Sequence, residues 1–386
     1  MVREVVDITF AEAGKQRIYL MSKRNWNTLD AIESIARESG IPASFVRYAG
    51  LKDRHALTHQ YVSVPSDKEL RSSREDIRLI PVGRSDDFVS TKVLVGNSFE
   101  VTLRSLDDRE AESVEARVPE VREWGFPNHF DDQRFGPASD RGEFVAERLV
   151  KGHLRGALKL YLTAEREEDP GPERERKREL SGAWGDWDKA LALCRTPLEE
   201  RLVGLAKLGG KKNLQRAVNS IPARELALHL AAFQGFLWNR ALMRYLEMRV
   251  PELATSSNGF TVPGRVGPYL FYRRLSRPSP GDLSRTMIPT VARKILPCDP
   301  DVLEAVQKVL EEQGLSLSGF ALRGLTSAYF KSFYRQAAVI PEKFEAFGPE
   351  PDELYPGKSK LRLSFFLPRG SYATMLVKAL TGASGD

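Results

Sequence analysis

The stretch Leu361-Arg362-Leu363-Ser364-Phe365-Phe366-Leu367 decides the fold. Its run of apolar and aromatic residues has strand character. A short helix is expected after it, over Ser371 to Leu380. A strand this apolar needs a sheet to join. Comparable strand signals lie near the start of the chain: Val5-Val6-Asp7-Ile8, Arg17–Met21, Gln60–Val64, Ile77–Val82 and Ser98–Leu103. If the last strand rejoins that sheet, the chain divides into a discontinuous sheet domain, 1–154 plus 342–386, and an inserted domain, 155–341. Strands and helices alternate in the first part without a regular strand–helix–strand period, which places the fold in the α+β class with a mixed sheet.

Between the strands, Thr28 can cap a helix whose apolar face is Leu29, Ile32, Ile35 and Ala36, with Gly40 as its stop. Phe45 to Ala49 reads as a buried strand, and Gly50 to His55 as a tight charged loop. A helix is expected from Ala111 to Trp124, and helical structure over 141–162. The run from Glu165 to Glu179 is charged throughout and broken by Pro170-Gly171-Pro172, the pattern of a solvated loop or linker. Residues 186–313 read as mainly helical. The clearest helix there, Pro222–Met248, carries Leu226, Leu230, Phe233, Leu237 and Met243 on one face.

With 41% hydrophobic and 28% charged residues among 386, the composition is that of a globular protein. The two cysteines, Cys194 and Cys298, are far apart and have no metal-ligand spacing around them, which fits a reducing cytoplasm. No signal-peptide layout opens the chain, and no apolar run approaches the ~18 residues that span a bilayer. A cytoplasmic protein with no membrane partner is expected. The net charge of +6 is unevenly spread. Residues 1–154 hold 23 Lys and Arg against 26 Asp and Glu, residues 155–341 hold 29 against 20, and residues 342–386 hold 6 against 6. The excess positive charge of the middle third is either a solvated surface or a phosphate-binding face. Lys211-Lys212 and Arg273-Arg274 are expected on exposed loops there, from their Gly, Asn and Ser-Pro surroundings.

Two segments could carry chemistry. In Gly50-Leu51-Lys52-Asp53-Arg54-His55-Ala56-Leu57-Thr58-His59-Gln60 one carboxylate lies between two cations, which favour its ionised form and suit it to act as a nucleophile or base. Such triplets are also common in surface turns. In Phe126-Pro127-Asn128-His129-Phe130-Asp131-Asp132-Gln133-Arg134-Phe135-Gly136, two aromatics, an amide and an arginine could stack on and hydrogen-bond a flipped base. Alternatively, Phe130 and Phe135 anchor a core and Arg134 pairs with Asp131 or Asp132. The five histidines form no ligand spacing, and no glycine-rich nucleotide loop is present, so neither a metal nor a nucleotide cofactor is expected. Trp238-Asn239 reads as packing. Of Arg323, Lys331 and Arg335, set among aromatics, part reads as core and part as cations that could touch phosphate.

Five stretches in order resemble the tRNA pseudouridine synthase D (TruD) family. They are Lys23-Arg24-Asn25-Trp26-Asn27-Thr28, Gly50 to Gln60 (matching at Gly50, Lys52, Asp53, Arg54, Ala56, Thr58 and Gln60), Asn128 to Gly136, Phe236-Leu237-Trp238-Asn239, and Leu363 to Thr374. The likeness runs from about residue 2 to 380. It implies a pseudouridine-synthase-like mixed, mostly antiparallel sheet with a large, mainly helical family-specific insertion, and RNA in the cleft between them. It implies isomerisation of a uridine in tRNA, at position 13, by a monomer without cofactor or metal. Asp53 would be the catalytic carboxylate, attacking the sugar, attacking the base or removing a sugar proton. Lys23 would be a basic partner near it, Asn128 and Phe130 would position and stack the uracil, and Lys52, Arg54, Gln60 and Arg134 would support the site. Two departures stand out. The chain opens directly at Val2-Arg3-Glu4, without the acidic-Phe pair that often precedes this stretch in the family. His129 and Asp131 replace the family's usual Tyr and Gly, so an altered pocket rim is expected. A non-catalytic RNA-binding or RNA-folding protein using the same basic cleft is the rival reading. A glycosidase-like hydrolase lacks a second carboxylate.

Overall fold

The C-terminal strand does join the N-terminal sheet. In the computed structural model, which describes residues 1–254, 258–275 and 279–382, Ser359–Pro368 runs antiparallel to Leu94–Leu106, with Leu363 opposite Val101 and Phe365 opposite Phe99. Its buried face alternates along the strand: Leu361, Leu363, Phe365 and Leu367 are all 2% exposed or less. Phe365 stacks on Phe99 with ring centroids 5.3 Å apart, so the strand brings a packed face as well as a ladder.

The sheet has eight strands, six from the start of the chain: β1 Val2–Val6, β2 Gln16–Arg24, β3 Arg47–Tyr48, β4 Leu57–Pro65, β5 Ile77–Ser85 and β6 Leu94–Leu106. The C-terminal hairpin of Glu342–Pro351 and Ser359–Pro368 supplies the rest. The order is Glu342–Pro351, Ser359–Pro368, β6, β1, β4, β2, β5, with β3 also on β4. Only β1 with β4 is parallel; every other pairing is antiparallel. Helix α1, Thr28–Glu38, buries Ala31, Ile32, Ile35 and Ala36 against Met21, Val62, Val64 and Ile77. Its cap is Asn27, whose side chain accepts the Asp30 N–H at 2.9 Å, so Thr28 is left for another task. Phe45–Ala49 forms only a single turn and the two-residue β3, and Phe45 is 41% exposed.

By packing, the described chain forms two units, Met1–Arg122 with Ile340–Ala373 and Glu123–Val339 with 374–382. The sequence pattern puts the boundaries at 154/155 and 341/342, with residues to 386 in the sheet domain. Residues 383–386 lie outside the described set. The division is discontinuous, but 123–154 and the last helix, Ala373–Thr381, belong with the helical unit. The chemistry of these segments explains it. Lys378 makes ion pairs to Asp131 at 2.8 Å and Asp132 at 2.6 Å, and the Thr374 hydroxyl donates to Asp131 at 2.6 Å. Phe126 and Pro127 pair antiparallel with Val339 and Ala338.

The second unit is built on the helix Ala223–Arg249, where Leu226, Leu230, Phe233, Leu237, Trp238, Leu242 and Leu246 are buried. The charged run at 165–179 is not a linker. From Gly171 it is a helix to Gly182, entered through prolines whose fixed φ suits a helix start. Its charges are cross-paired: Arg176 with Glu173 and Glu199, Lys177 with Asp169, and Arg178 with Glu165. Lys211 and Lys212 are exposed, but in the first turn of a helix, Gly210–Ser220. Arg273 and Arg274 do lie in a bend, though Arg273 is half-buried over the Phe260 ring. Of the Ser-Pro surroundings, 276–278 lie outside the described residues. Among the described residues no helix is long and apolar enough to cross a membrane.

Candidate active site

The first unit gathers the motif residues of 23–28 and 50–60 around one loop. Lys23, on β2, points inward and is 1% exposed. Its ammonium donates to three backbone carbonyls, Trp26 at 2.5 Å, Asp53 at 3.2 Å and Lys52 at 3.4 Å. Burial pushes this ammonium down to about 8; the charge of Asp53 acts against that shift and the charge of Lys52 adds to it. The Thr28 hydroxyl, freed from capping, donates to Gln60 Oε1 at 2.9 Å and accepts the Lys52 N–H at 2.8 Å. Gln60, fully buried, also donates through Nε2 to the Gly50 carbonyl at 3.3 Å. Lys52 turns inward onto Glu4, 2.7 Å away. Asp53 and Arg54 are exposed at the tip. Lys23, Thr28 and Gln60 thus hold the loop by its backbone, and Lys52 anchors it through Glu4.

The second unit holds Asn128, Phe130 and Arg134, and holds them tightly. Asn128 and Phe130 are each 3% exposed. Arg335, itself 7% exposed, donates to the Asn128 carbonyl at 2.9 Å, the Asn128 side-chain oxygen at 2.7 Å and the His129 carbonyl at 3.2 Å. Asn128 Nδ2 donates to the Gln336 carbonyl at 3.2 Å. The Asn239 side chain accepts the Phe130 N–H at 2.7 Å and donates to its carbonyl at 2.8 Å. The guanidinium groups of Arg335 and Arg134 lie 4.2 and 4.9 Å from the Phe130 ring centre, and Trp238 meets the ring edge-on at 5.5 Å. Gly235 permits this: a Cβ there would meet Arg134 Cγ at 3.1 Å and the Phe130 ring at 3.4 Å. A base stacking on Phe130 would have to displace one of these groups.

A scan of family models matches tRNA pseudouridine synthase D (TruD) over residues 1–259 and 286–380. The chain belongs to the TruD family. With it comes membership of the tRNA pseudouridine synthases, which are isomerases. The chain is similar to tRNA pseudouridine synthase D of Leptospira interrogans, 32% identical over 392 residues, 96% of this chain and 90% of that one. It is 31% identical over 382 residues to the probable tRNA pseudouridine synthase D 2 of Methanocaldococcus jannaschii, covering 98% and 88%. The crystal structure of a TruD protein from Methanosarcina mazei superposes with a TM-score of 0.74 at 25% identity, over 99% of this chain and 91% of that one.

Against the family pattern, the two substitutions expected at the pocket rim are not exposed. His129 is fully buried, donates through Nε2 to the Leu270 carbonyl at 2.9 Å, and is pushed down to about 4 by burial. Asp131 is engaged by Lys378 and Thr374, so the pairing anticipated for Arg134 goes to Lys378 instead. The sequence reading misses Asn239 and Arg335. Asn239 reads there as packing, yet a buried amide on an apolar helix must find partners, and that requirement is the available signal. Arg335 reads there with the cations that could touch phosphate; in the structure it is a buried clamp. No three His, Cys, Asp or Glu side chains among the described residues gather as a metal-holding set.

Proposed function

We propose that this TruD chain converts a uridine of tRNA, at position 13, to pseudouridine, with Asp53 as the reacting carboxylate. Substrate and product contain the same atoms. The N1–C1′ bond breaks, the uracil turns, C5 bonds to C1′, and the proton lost from C5 is balanced by one gained at N1. This balance requires no oxidant, reductant or energy-carrying nucleotide, and the reaction is assigned no cofactor or metal.

The observation that supports the reading most is the contrast within one loop. Asp53 is exposed, while the carbonyls of residues 50, 52 and 53 and the N–H of residue 52 are all held by buried side chains. Such a placement presents a charged group without leaving its position to chance. Recognition of the uracil is assigned to the segment Asn128–Arg134, with Arg335 and Asn239 keeping it in shape. The phosphate backbone is assigned to the second unit, which holds 34 Lys and Arg against 26 Asp and Glu, a net of +8. Every assigned group comes from one chain, and a monomer is the state assigned to it.

The test is to map pseudouridine in tRNA treated with the purified protein and with Asp53→Asn, no cofactor added. Asp53→Asn should lower turnover by at least about a thousandfold, with tRNA affinity changed by no more than about tenfold, or ~1.4 kcal/mol. Turnover by the Asn variant would remove Asp53 from the role. Tight binding without pseudouridine formation by the wild-type protein would favour the RNA-binding reading.

A further inference from the structure

Glu4, on β1, is 2% exposed, and its carboxylate is wholly inside the sheet unit. The parallel ladder between β1 and β4 pairs Val2 with Thr58 and Arg3 with His59. Just past it, the Tyr61 N–H is taken by Glu4 Oε2, at 2.9 Å. The other carboxylate oxygen faces Lys52 Nζ at 2.7 Å, and the Lys52 side chain is only 8% exposed. Gly50 lies against the pair; a Cβ there would meet Lys52 Nζ at 3.4 Å.

Lys52 is therefore held at every polar atom it has. Its N–H donates to Thr28, its carbonyl accepts from Lys23, and its ammonium meets Glu4. The side chains around it face outward: Leu51 is 59% exposed, and Asp53, Arg54 and His55 are exposed too. A buried ion pair is a poor way to gain stability, because desolvating two charges consumes most of their attraction, and an apolar pair of the same shape often does as well. Its use beneath an exposed loop calls for another explanation.

We propose that Glu4 is a positioning residue for the reaction. By fixing the ammonium of Lys52 it fixes the backbone of the residue that immediately precedes Asp53, and so the place from which the carboxylate acts. The inference rests on Asp53 as the reacting group.

The experiment compares Glu4→Gln, Lys52→Met, the double variant and Lys52→Arg with Asp53→Asn. It measures single-turnover rate at saturating tRNA, tRNA affinity and urea unfolding for each. Displacing the loop by about an ångström should lower the rate by ~30- to 100-fold in Glu4→Gln and in Lys52→Met, with affinity within ~threefold. The double variant, which removes both charges and keeps the bulk, should fold and be no slower than the slower single variant. Lys52→Arg should recover part of the rate lost in Lys52→Met. Wild-type rate in the folded double variant would overturn the inference. So would rate losses that multiply, a loss confined to affinity, or a double variant that cannot fold, which would give the pair to stability alone. If Asp53→Asn itself turns over, the reading of the reaction fails whatever the pair does. If Asp53→Asn is inactive and the pair variants are normal, only the positioning role fails.

Discussion

Two polar loops, 50–56 in the sheet unit and 128–134 in the helical unit, carry most of the residues proposed for the site, and they are stabilised in opposite senses. In the first, buried side chains grip the backbone and leave Asp53 outside. In the second, the motif side chains themselves are inside: Asn128, His129 and Phe130 are at most 3% exposed and clasped by Arg335 and Asn239. The difference separates two demands on a site. A reacting carboxylate must be reachable, so its order has to come from beneath. On the roles proposed above, the segment 128–134 needs shape, and it obtains shape by spending its own polar groups on its neighbours.

The largest effect expected from this contrast is on stability. Asn239→Ala removes the side chain that accepts the Phe130 N–H and donates to its carbonyl, both buried, which should cost about 3 kcal/mol in urea unfolding. Asp53→Asn, at an exposed tip, should cost almost nothing. Equal losses in the two variants would break the comparison.

A second expectation concerns acid. His129 and His229, both in the helical unit and both buried, are each pushed down to about 4, chiefly by burial. Once unfolded, each takes up a proton near its ordinary value of 6.5; in the folded protein neither does so until about 4. Unfolding therefore takes up protons within that window, and stability falls as pH drops through it, by up to ~3 kcal/mol for each histidine. Four of the five tryptophans, 124, 184, 187 and 238, belong to this unit, so their fluorescence reports on it. The urea midpoint should fall from pH 7 to pH 4.5, and His229→Gln should reduce the fall. A flat midpoint in the wild-type protein would show that these histidines are not buried as described.

How much of this is legible in the sequence depends on what each element buries. The strand Leu361–Leu367 is readable because one whole face is core. Glu342–Pro351 is not, because it is an edge strand with only Phe344 buried, and edge strands carry charge to discourage further pairing. The run 165–179 misleads because composition alone judges its charges as solvated, whereas Arg176 and Lys177 are buried on carboxylates distant in sequence or on a neighbouring turn. Asp53 and Lys23 in the sheet unit, and the 128–134 segment in the helical unit, can be picked out by motif. That Lys52 is spent on Glu4, Gln60 on Thr28 and Asn239 on Phe130 depends on pairings between residues far apart in the chain, which no local pattern encodes.

A third prediction sharpens the sheet-unit half of the comparison. Lys23 loses its proton near pH 8 in the folded protein but holds it to about 10.5 once unfolded. Stability contributed by this residue therefore rises with pH between those values, and a falling rate there cannot be unfolding on its account. If the charged ammonium is what fixes the carbonyls of residues 52 and 53, the rate at saturating tRNA should drop above pH 8, by about tenfold at pH 9. Lys23→Arg should move that limb upward. A rate independent of pH from 7 to 9.5 would leave Lys23 a purely structural group.

The smallest effect is expected from the surface charge. If the helical unit, at +8, binds the RNA backbone, affinity should fall with salt along a log–log slope of about −0.7 to −0.9 for each phosphate neutralised. Lys211 and Lys212 are exposed on the first turn of Gly210–Ser220, and changing both to Gln should flatten the slope by up to about one unit for each phosphate they neutralise. The rate at saturating tRNA should stay normal, since groups on the phosphate backbone position the RNA and do not touch the reacting base. Arg84 and Lys92 are equally exposed on the sheet unit and make the matched control. If neutralising that pair flattens the slope as much, the charge division between the units has no bearing on binding. If neither pair moves it, and wider neutralisation of the helical unit does not either, the excess charge is a solvated surface and the RNA is held by other groups.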